Sequence, residues 1–310
     1  MPPSRFSTHL ALLGMSALWG ASWPWGRVVA QSMPPLAAAG LRFALASGVL
    51  LLWLQRSGRW PGLRQLRPQQ WLGLACAALT GVFGYSLFFM LALHSVPAGK
   101  ASMVVALNPV LTLVAAALLF GERANRAMVA GLLLAVTGAL YAIAAGSAST
   151  SEALHTWGRG EWLLLGCAAC WVGYTLLGRV VLTSVDALTT TTVTAVLGAV
   201  LLLTASAVVE GPAAWSQLPQ APMAAWGSLV GLALGATALG YAWYLRGVQV
   251  LGAGSAAAYL ALVPLFGMLC ASLWLGEALT PALLVGGALA MGGMLLMHWG
   301  RQRLAATPAP

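Results

Sequence analysis

Residues Ala98 to Glu122 read AGKASMVVALNPVLTLVAAALLFGE, and residues Ala253 to Glu277 read AGSAAAYLALVPLFGMLCASLWLGE. A constant offset of 155 aligns the two stretches without a gap, and ten of the twenty-five positions are then identical. The shared residues are Ala98, Gly99, Ala101, Ala106, Leu107, Pro109, Ala116, Leu118, Gly121 and Glu122 with their counterparts. Chance in an Ala/Leu-rich composition accounts for roughly three or four, so the chain carries an internal repeat. Each copy reads as one apolar helix long enough to cross a bilayer, with a proline in its middle.

The rest of the composition fits that solvent. Of the 310 residues, 60% are hydrophobic and 7% charged, with a mean hydropathy of +0.86. A water-soluble domain carries about 25% charged residues, because its surface must be solvated. The formal charge of +9 is not accompanied by a basic stripe or an aromatic–basic module, so nucleic acid is not an expected partner. Cys76, Cys167, Cys170 and Cys270 all fall in apolar runs and are expected as packing residues. Cys167 and Cys170 stand at i and i+3, but no neighbouring His or acid completes a metal site. Arg5 precedes an apolar run that passes through Trp19, Trp23 and Trp25 without a cleavage site, and this run is read as the first span.

The hydropathy pattern predicts spans over 10–30, 36–55, 71–93, 98–120 and 127–146, then over 161–182, 187–209, 223–246, 253–275 and 281–299. The polar linker 147–160 separates a first five-helix repeat, 10–146, from a second, 161–299, and a cytoplasmic tail follows at 300–310. The seventh span opens on the polar run TTTTVT. With the N-terminus inside, the inner ends hold Arg5, Arg56, Arg59, Arg64, Arg67, Arg123, Arg126, Arg179, Arg246, Arg301 and Arg303, eleven of the fifteen basic residues. Arg27, Arg42, Lys100 and Arg159 fall on the outer half. The expected fold is therefore an all-α integral membrane protein. Its ten transmembrane helices form two inverted repeats, with both termini cytoplasmic. Other spans repeat too. Trp19, Gly26 and Arg27 match Trp171, Gly178 and Arg179 at an offset of 152, and Gly131 and Gly138 match Gly286 and Gly293 at 155.

Chemistry inside a bilayer is expected where polar or bent groups reach the midplane. Pro109 and Pro264 lie about 16 Å into their spans at 1.5 Å per residue. Each is a candidate hinge: either a bend that opens a cavity or a kink packed on a neighbour. Asn108 is the most polar midplane side chain in either copy, suited to an interhelical hydrogen bond or to a solute. Trp19 and Trp171 lie too deep for an interfacial belt, so they are bulk or cavity walls. Tyr85, Tyr174, Tyr241 and Tyr259 add hydroxyls that need partners. Arg42, roughly 10 Å inside the second span by helix rise, either snorkels or attracts an anion. The candidate solute-binding set is Trp19, Trp23, Arg42, Tyr85, Lys100, Asn108, Trp171, Tyr174, Tyr241 and Tyr259.

No acid lies inside any span; Glu122, Asp186 and Glu277 are at span ends, Glu161 opens the sixth span, and Glu152 and Glu210 are in loops. A proton relay of intramembrane carboxylates is missing, which leaves either no proton coupling or an interfacial acid such as Glu122 or Glu277. HExxH, GxSxG, P-loop and EF-hand motifs are absent, and His9, His94, His155 and His298 are scattered. No catalytic site, cofactor or metal is expected, and the chain is not read as an enzyme. A membrane enzyme acting on lipid-linked substrates is the alternative, and a scaffold protein a third.

The Trp19-Gly20 pair, the run PPLAAAGLRFALAS around Arg42, and the paired Pro109…Gly121-Glu122 and Pro264…Gly276-Glu277 together resemble the drug/metabolite transporter superfamily, in particular its EamA group of ten-span permeases. The resemblance spans both halves. It implies a bacterial inner-membrane exporter of small metabolites, amino acids or toxic compounds, working by alternating access around a central cavity. Its implied partners are a small-molecule solute and the lipid bilayer, and a monomer is favoured. Four-span relatives that exchange drugs for protons carry a glutamate in the first span. Here LALLGMSALWGASW has none, so proton antiport does not carry over.

Overall fold

The computed structural model describes residues 5–121, 125–145, 158–251, 256 and 258–306, and all their regular elements are helical. Hydrocarbon offers backbone N–H and C=O groups no partner, and a helix satisfies both within one segment. The long helices are α1 (Arg5–Ser32), α2 (Pro35–Arg56), α3 (Pro68–Ser95), α4 (Ala98–Leu119) and α5 (Arg126–Ala145). They continue with α6 (Arg159–Val181), α7 (Ala187–Ala205), α8 (Met223–Gly247), α9 (Tyr259–Leu275) and α10 (Pro281–Ala306). Among the described residues, seven helices, α2, α3, α4, α6, α7 with its continuation, α8 and α10, are long and apolar enough to cross a membrane. Shorter apolar stretches lie in α5 and α9. Residues 147–157 of the expected linker 147–160, and Glu122, lie outside the described residues.

The helices gather into two compact units. One draws on residues 1–24, 96–162 and 240–310, the other on 25–95 and 163–239, so each takes helices from both copies of the repeat. In the first unit, Gly131 lies against Met297 and Gly293, and Gly138 against Ala290 and Gly286, which makes α5 and α10 antiparallel. A Cβ on Gly138 would stand 2.5 Å from the Ala290 backbone nitrogen, so only glycine permits this approach. In the same unit Gly99 faces Glu277 and Ala271 while Gly267 faces Ser102, so α4 and α9 also run antiparallel. Leu12 against Gly247 and Gly14 against Trp243 set α1 against α8 in the same sense. In the second unit, Gly40 meets Leu203 of α7, and Gly73, Gly81 and Gly84 of α3 meet Val181, Tyr174 and Cys170 of α6. Every one of these pairs joins one helix from each half of the sequence.

Local structure repeats as well. A 3-10 turn, Met103–Ala106, leads into the α-helix Leu107–Phe120, and another, Tyr259–Leu262, leads into Val263–Leu275. The two prolines thus sit in the opening turn of a fresh α-helix, where the missing N–H costs least. The side chain of Pro109 lies outside the described residues. In α3 and α8 the backbone widens into π-helical segments, Ala78–Gly84 and Gly231–Leu239. Gly121 (φ 66°) and Gly276 (φ 67°) end their helices with positive φ at the offset of 155, and Gly58 (φ 67°) and Gly211 (φ 70°) also have positive φ.

Helix starts are closed by carboxylates. Glu277, beyond the end of α9, accepts from the amides of Ala98 and Gly99 at 2.8 Å each. Glu210, in the π-helical turn after α7, accepts from Leu36 and Ala37 at 2.8 and 2.9 Å. Asp186 caps its own helix, accepting from Leu188 and Thr189, and pairs with Arg59 at 2.8 Å. The threonine run then enters the core by turning hydroxyls onto its own backbone, Thr192 to Leu188 O and Thr194 to Thr190 O. The cysteines are more varied than expected: Cys167 is buried, and the other three are half-buried.

Replacing Gly138 with Val should force α5 from α10 and cost at least about 1–3 kcal/mol, the usual range for overpacking. Gly48→Ala, with nothing within 4 Å, is the control and should be neutral or slightly stabilising; melting followed by size-exclusion in detergent reads both. A second expectation concerns pH. Burial pushes the Asp186 carboxyl upward, but the Thr189 hydroxyl and amide and the Arg59 guanidinium outweigh it and hold the group below the ordinary carboxylate range. Its stabilisation is therefore present above the unfolded value and is lost as pH falls through the lowered folded one. Asp186→Asn should remove that acid-side component from a melting series run from neutral pH to about pH 3.

Candidate functional site

In the unit formed by 25–95 and 163–239, the π-helical segment of α3 ends at Tyr85, and its extra residue per turn re-aims that side chain. The Tyr85 ring lies 5.7 Å from Trp171 of α6, and Trp171 lies 6.0 Å from Tyr174 on the same helix. Gly81 seats the Tyr174 ring, whose hydroxyl hydrogen-bonds with Thr194. All three aromatic residues are half-buried, so each keeps a face that is not consumed by packing.

Arg42 belongs to this same unit and is 9% exposed. Its Nε and Nη2 donate to Thr237 Oγ1 at 3.3 and 3.2 Å, and its guanidinium lies 5.0 Å from the Phe43 ring centre and 5.9 Å from that of Phe89. The side chain is thus held inward by a hydroxyl and two aromatic faces. Thr237 sits in the π-helical segment of α8 and donates in turn to Leu232 O.

The other unit holds a matching aromatic group. Trp19 of α1 stands 5.5 Å from Tyr241 and 5.6 Å from Tyr244, both in the first turns after the α8 π segment. Trp23 is buried in packing, with only 2% of its surface exposed. Tyr259 is tied to α1 twice: His9 Nδ1 meets its hydroxyl at 2.7 Å, and Ser16 donates to its carbonyl at 2.7 Å. Lys100 is enclosed as well, donating to Glu161 at 3.0 Å with side chains 8% and 15% exposed. Asn108, 8% exposed, opens the α-helix after the first 3-10 turn.

Of the residues singled out in the sequence, Tyr85, Trp171 and Tyr174 come together, and so do Trp19 and Tyr241. Arg42, Lys100 and Tyr259 have partners of other kinds. Tyr244, Thr237, His9 and Glu161 were missed as partners. Only Tyr244 left a trace, three residues after Tyr241 and hence on the same helix face. Glu277, an interfacial acid considered for proton coupling, is engaged on the amides of Ala98 and Gly99. Among the described residues, no group of three or more His, Cys, Asp or Glu is placed to hold a metal.

An indole facing two phenols presents apolar rings with O–H and N–H groups at their rims. Rings of this kind suit contact with an amphipathic solute. Polar groups of this kind inside an apolar, multi-pass helical protein mark a functional path rather than packing alone. The EamA-like transporter family matches residues 6–144 and 158–299, and the chain belongs to that family. A probable terminal-alkyne amino-acid exporter of Streptantibioticus cattleyicolor is 31% identical over 96% of each chain. A probable amino-acid metabolite efflux pump of Salmonella typhimurium is 30% identical, again over 96% of each. The uncharacterized transporter YyaM of Bacillus subtilis is 28% identical over 94% of this chain and 93% of its own. A solved crystal structure superposes with a TM-score of 0.65 at 24% identity, covering 97% of this chain and 99% of that one, and shares the fold.

Thr237→Val should leave two donors of a buried guanidinium without their acceptor and destabilise the protein by about 1–3 kcal/mol. If Thr237 acts through Arg42, the loss should shrink in an Arg42→Met background; a double-mutant melting cycle reads the coupling.

Proposed function

We propose that the protein is a secondary transporter with ten spans and both termini in the cytoplasm, exporting a small amphipathic organic solute across a bacterial inner membrane. The observation that carries this reading is the doubled aromatic group. Trp171 with Tyr85 and Tyr174, and Trp19 with Tyr241 and Tyr244, recur with the same residue types, each beside a π-helical segment. Alternating access follows from the duplication: two copies of one unit running in opposite senses can expose equivalent surfaces to opposite sides of the membrane. The antiparallel helix pairs and the excess of basic residues on one set of span ends support that topology. Pro109 and Pro264 are the hinges in this reading, because each lacks a backbone N–H donor and follows a 3-10 turn, whose hydrogen bonds are poorer than an α-helix's. The printed names of the Streptantibioticus and Salmonella relatives favour amino acids or their metabolites as the solute.

The test is overexpression followed by growth on toxic amino acids, their analogues and antimicrobials, with flux measured in liposomes. Resistance to one class, with the solute recovered chemically unchanged, is the expected result. Solute altered in the process would point to an enzyme instead. Trp19→Ala and Trp171→Ala should each lower flux about tenfold, the scale of one aromatic contact, at unchanged membrane level. Normal flux in both would remove the aromatic groups from the solute's path.

A further inference from the structure

Asn108 is the candidate residue whose polar chemistry the fold does not use. Its Oδ1 is buried and accepts from no donor, a state natural folds hold rarely. The other unmatched buried side-chain atoms are Ser47, Ser86 and Thr190 hydroxyls and Arg246 Nε. Each of those carries its own hydrogen; the amide oxygen can only accept. In the chain around it, Val104, Ala106, Leu107 and Val110 are all buried and apolar.

The repeat shows that the amide is not there for the backbone. Val263 occupies the equivalent position, also buried, also just after a 3-10 turn and immediately before a proline. A valine therefore suffices to build this turn, and the amide is an addition made in one copy only. Ten residues from Ala98 place it about 15 Å into its helix, near the middle of a hydrocarbon core about 30 Å thick. An unmatched amide oxygen at that depth favours an N–H donor, because any donor that reaches it relieves the cost of leaving a buried acceptor unpaired.

We propose that Asn108 Oδ1 is the acceptor for the amino group of the transported solute, which makes an amino-bearing solute of the amino-acid type the preferred class. This rests on the exporter reading above. The oxygen is closed off in the present conformation, so the donor reaches it when the 3-10 turn Met103–Ala106 rearranges.

The test uses purified full-length protein in liposomes and a panel of L-amino acids, each paired with the same acid lacking its amino group. Wild type should move amino-bearing members faster than their partners. Asn108→Val, which copies position 263, should melt no lower than wild type yet lose flux of amino-bearing members by about tenfold or more, the worth of one hydrogen bond to a charged donor. Asn108→Asp should keep or raise that flux, because a carboxylate is the stronger acceptor for an ammonium. Unchanged flux in Asn108→Val overturns the proposal. So does a lowered melting point with equal loss of every solute, which would make Asn108 structural. Equal wild-type flux of both members of each pair refutes the amino selectivity while leaving the exporter reading intact. Absence of wild-type flux for every member defeats both.

Discussion

A backbone N–H left bare in hydrocarbon costs several kcal/mol, and every helix begins with a set of them. The acids of this chain answer that constraint. Glu277 and Glu210 each bring two carboxylate oxygens to two successive amides of another helix, and Asp186 accepts two successive amides of its own helix at Oδ1 and the Thr189 hydroxyl at Oδ2. The carboxylate sits at the positive end of the helix dipole, so charge and hydrogen bonding act in one direction. Glu161, half-buried, holds Lys100. All four described acids are thereby engaged at helix ends, and no described acid lies in a helix interior.

Antiparallel pairing is what makes this capping possible, because it sets the end of one helix beside the start of another. Duplication supplies the pairs. Each packed couple takes one helix from each copy, and glycines bring the α5 and α10 backbones into contact along two turns. Without a hydrophobic force between helices in lipid, such close packing has to come from small residues. The same pairing places the two aromatic groups. The π-helical segments of α3 and α8 shift Tyr85 and Tyr241 toward the tryptophans of α6 and α1.

Much of this was legible in the chain itself. The offset of 155 exposes the repeat, and the spacing of Gly131, Gly138, Gly286 and Gly293 points to a close helix contact. Midplane depth picked out Trp19 and Trp171. What stayed hidden depends on partners far apart in sequence. Glu210 read as a loop residue because its amide partners lie 174 and 173 positions away. Arg42 invited a snorkelling reading because Thr237 is 195 residues distant. The π segments ALTGVFG and GLALGATAL are glycine-bearing and apolar like their surroundings, so nothing local distinguishes them from ordinary α-helix.

The repeat also separates architecture from selectivity. Residues kept in both copies, the prolines, the helix-ending glycines and the glycines of the α5–α10 seam, are those whose backbone conformation or close approach the fold requires. Residues that differ are free of that requirement, since the other copy folds without them. By this criterion Lys100, whose counterpart is Ser255, is an asymmetric addition that nevertheless found a structural use in its pair with Glu161. Asn108 found none. The other unmatched buried atoms, the Ser47, Ser86 and Thr190 hydroxyls and Arg246 Nε, all carry hydrogens of their own; an acceptor-only oxygen retained without a partner in one copy points outward from the fold, to the molecule the fold exists to move.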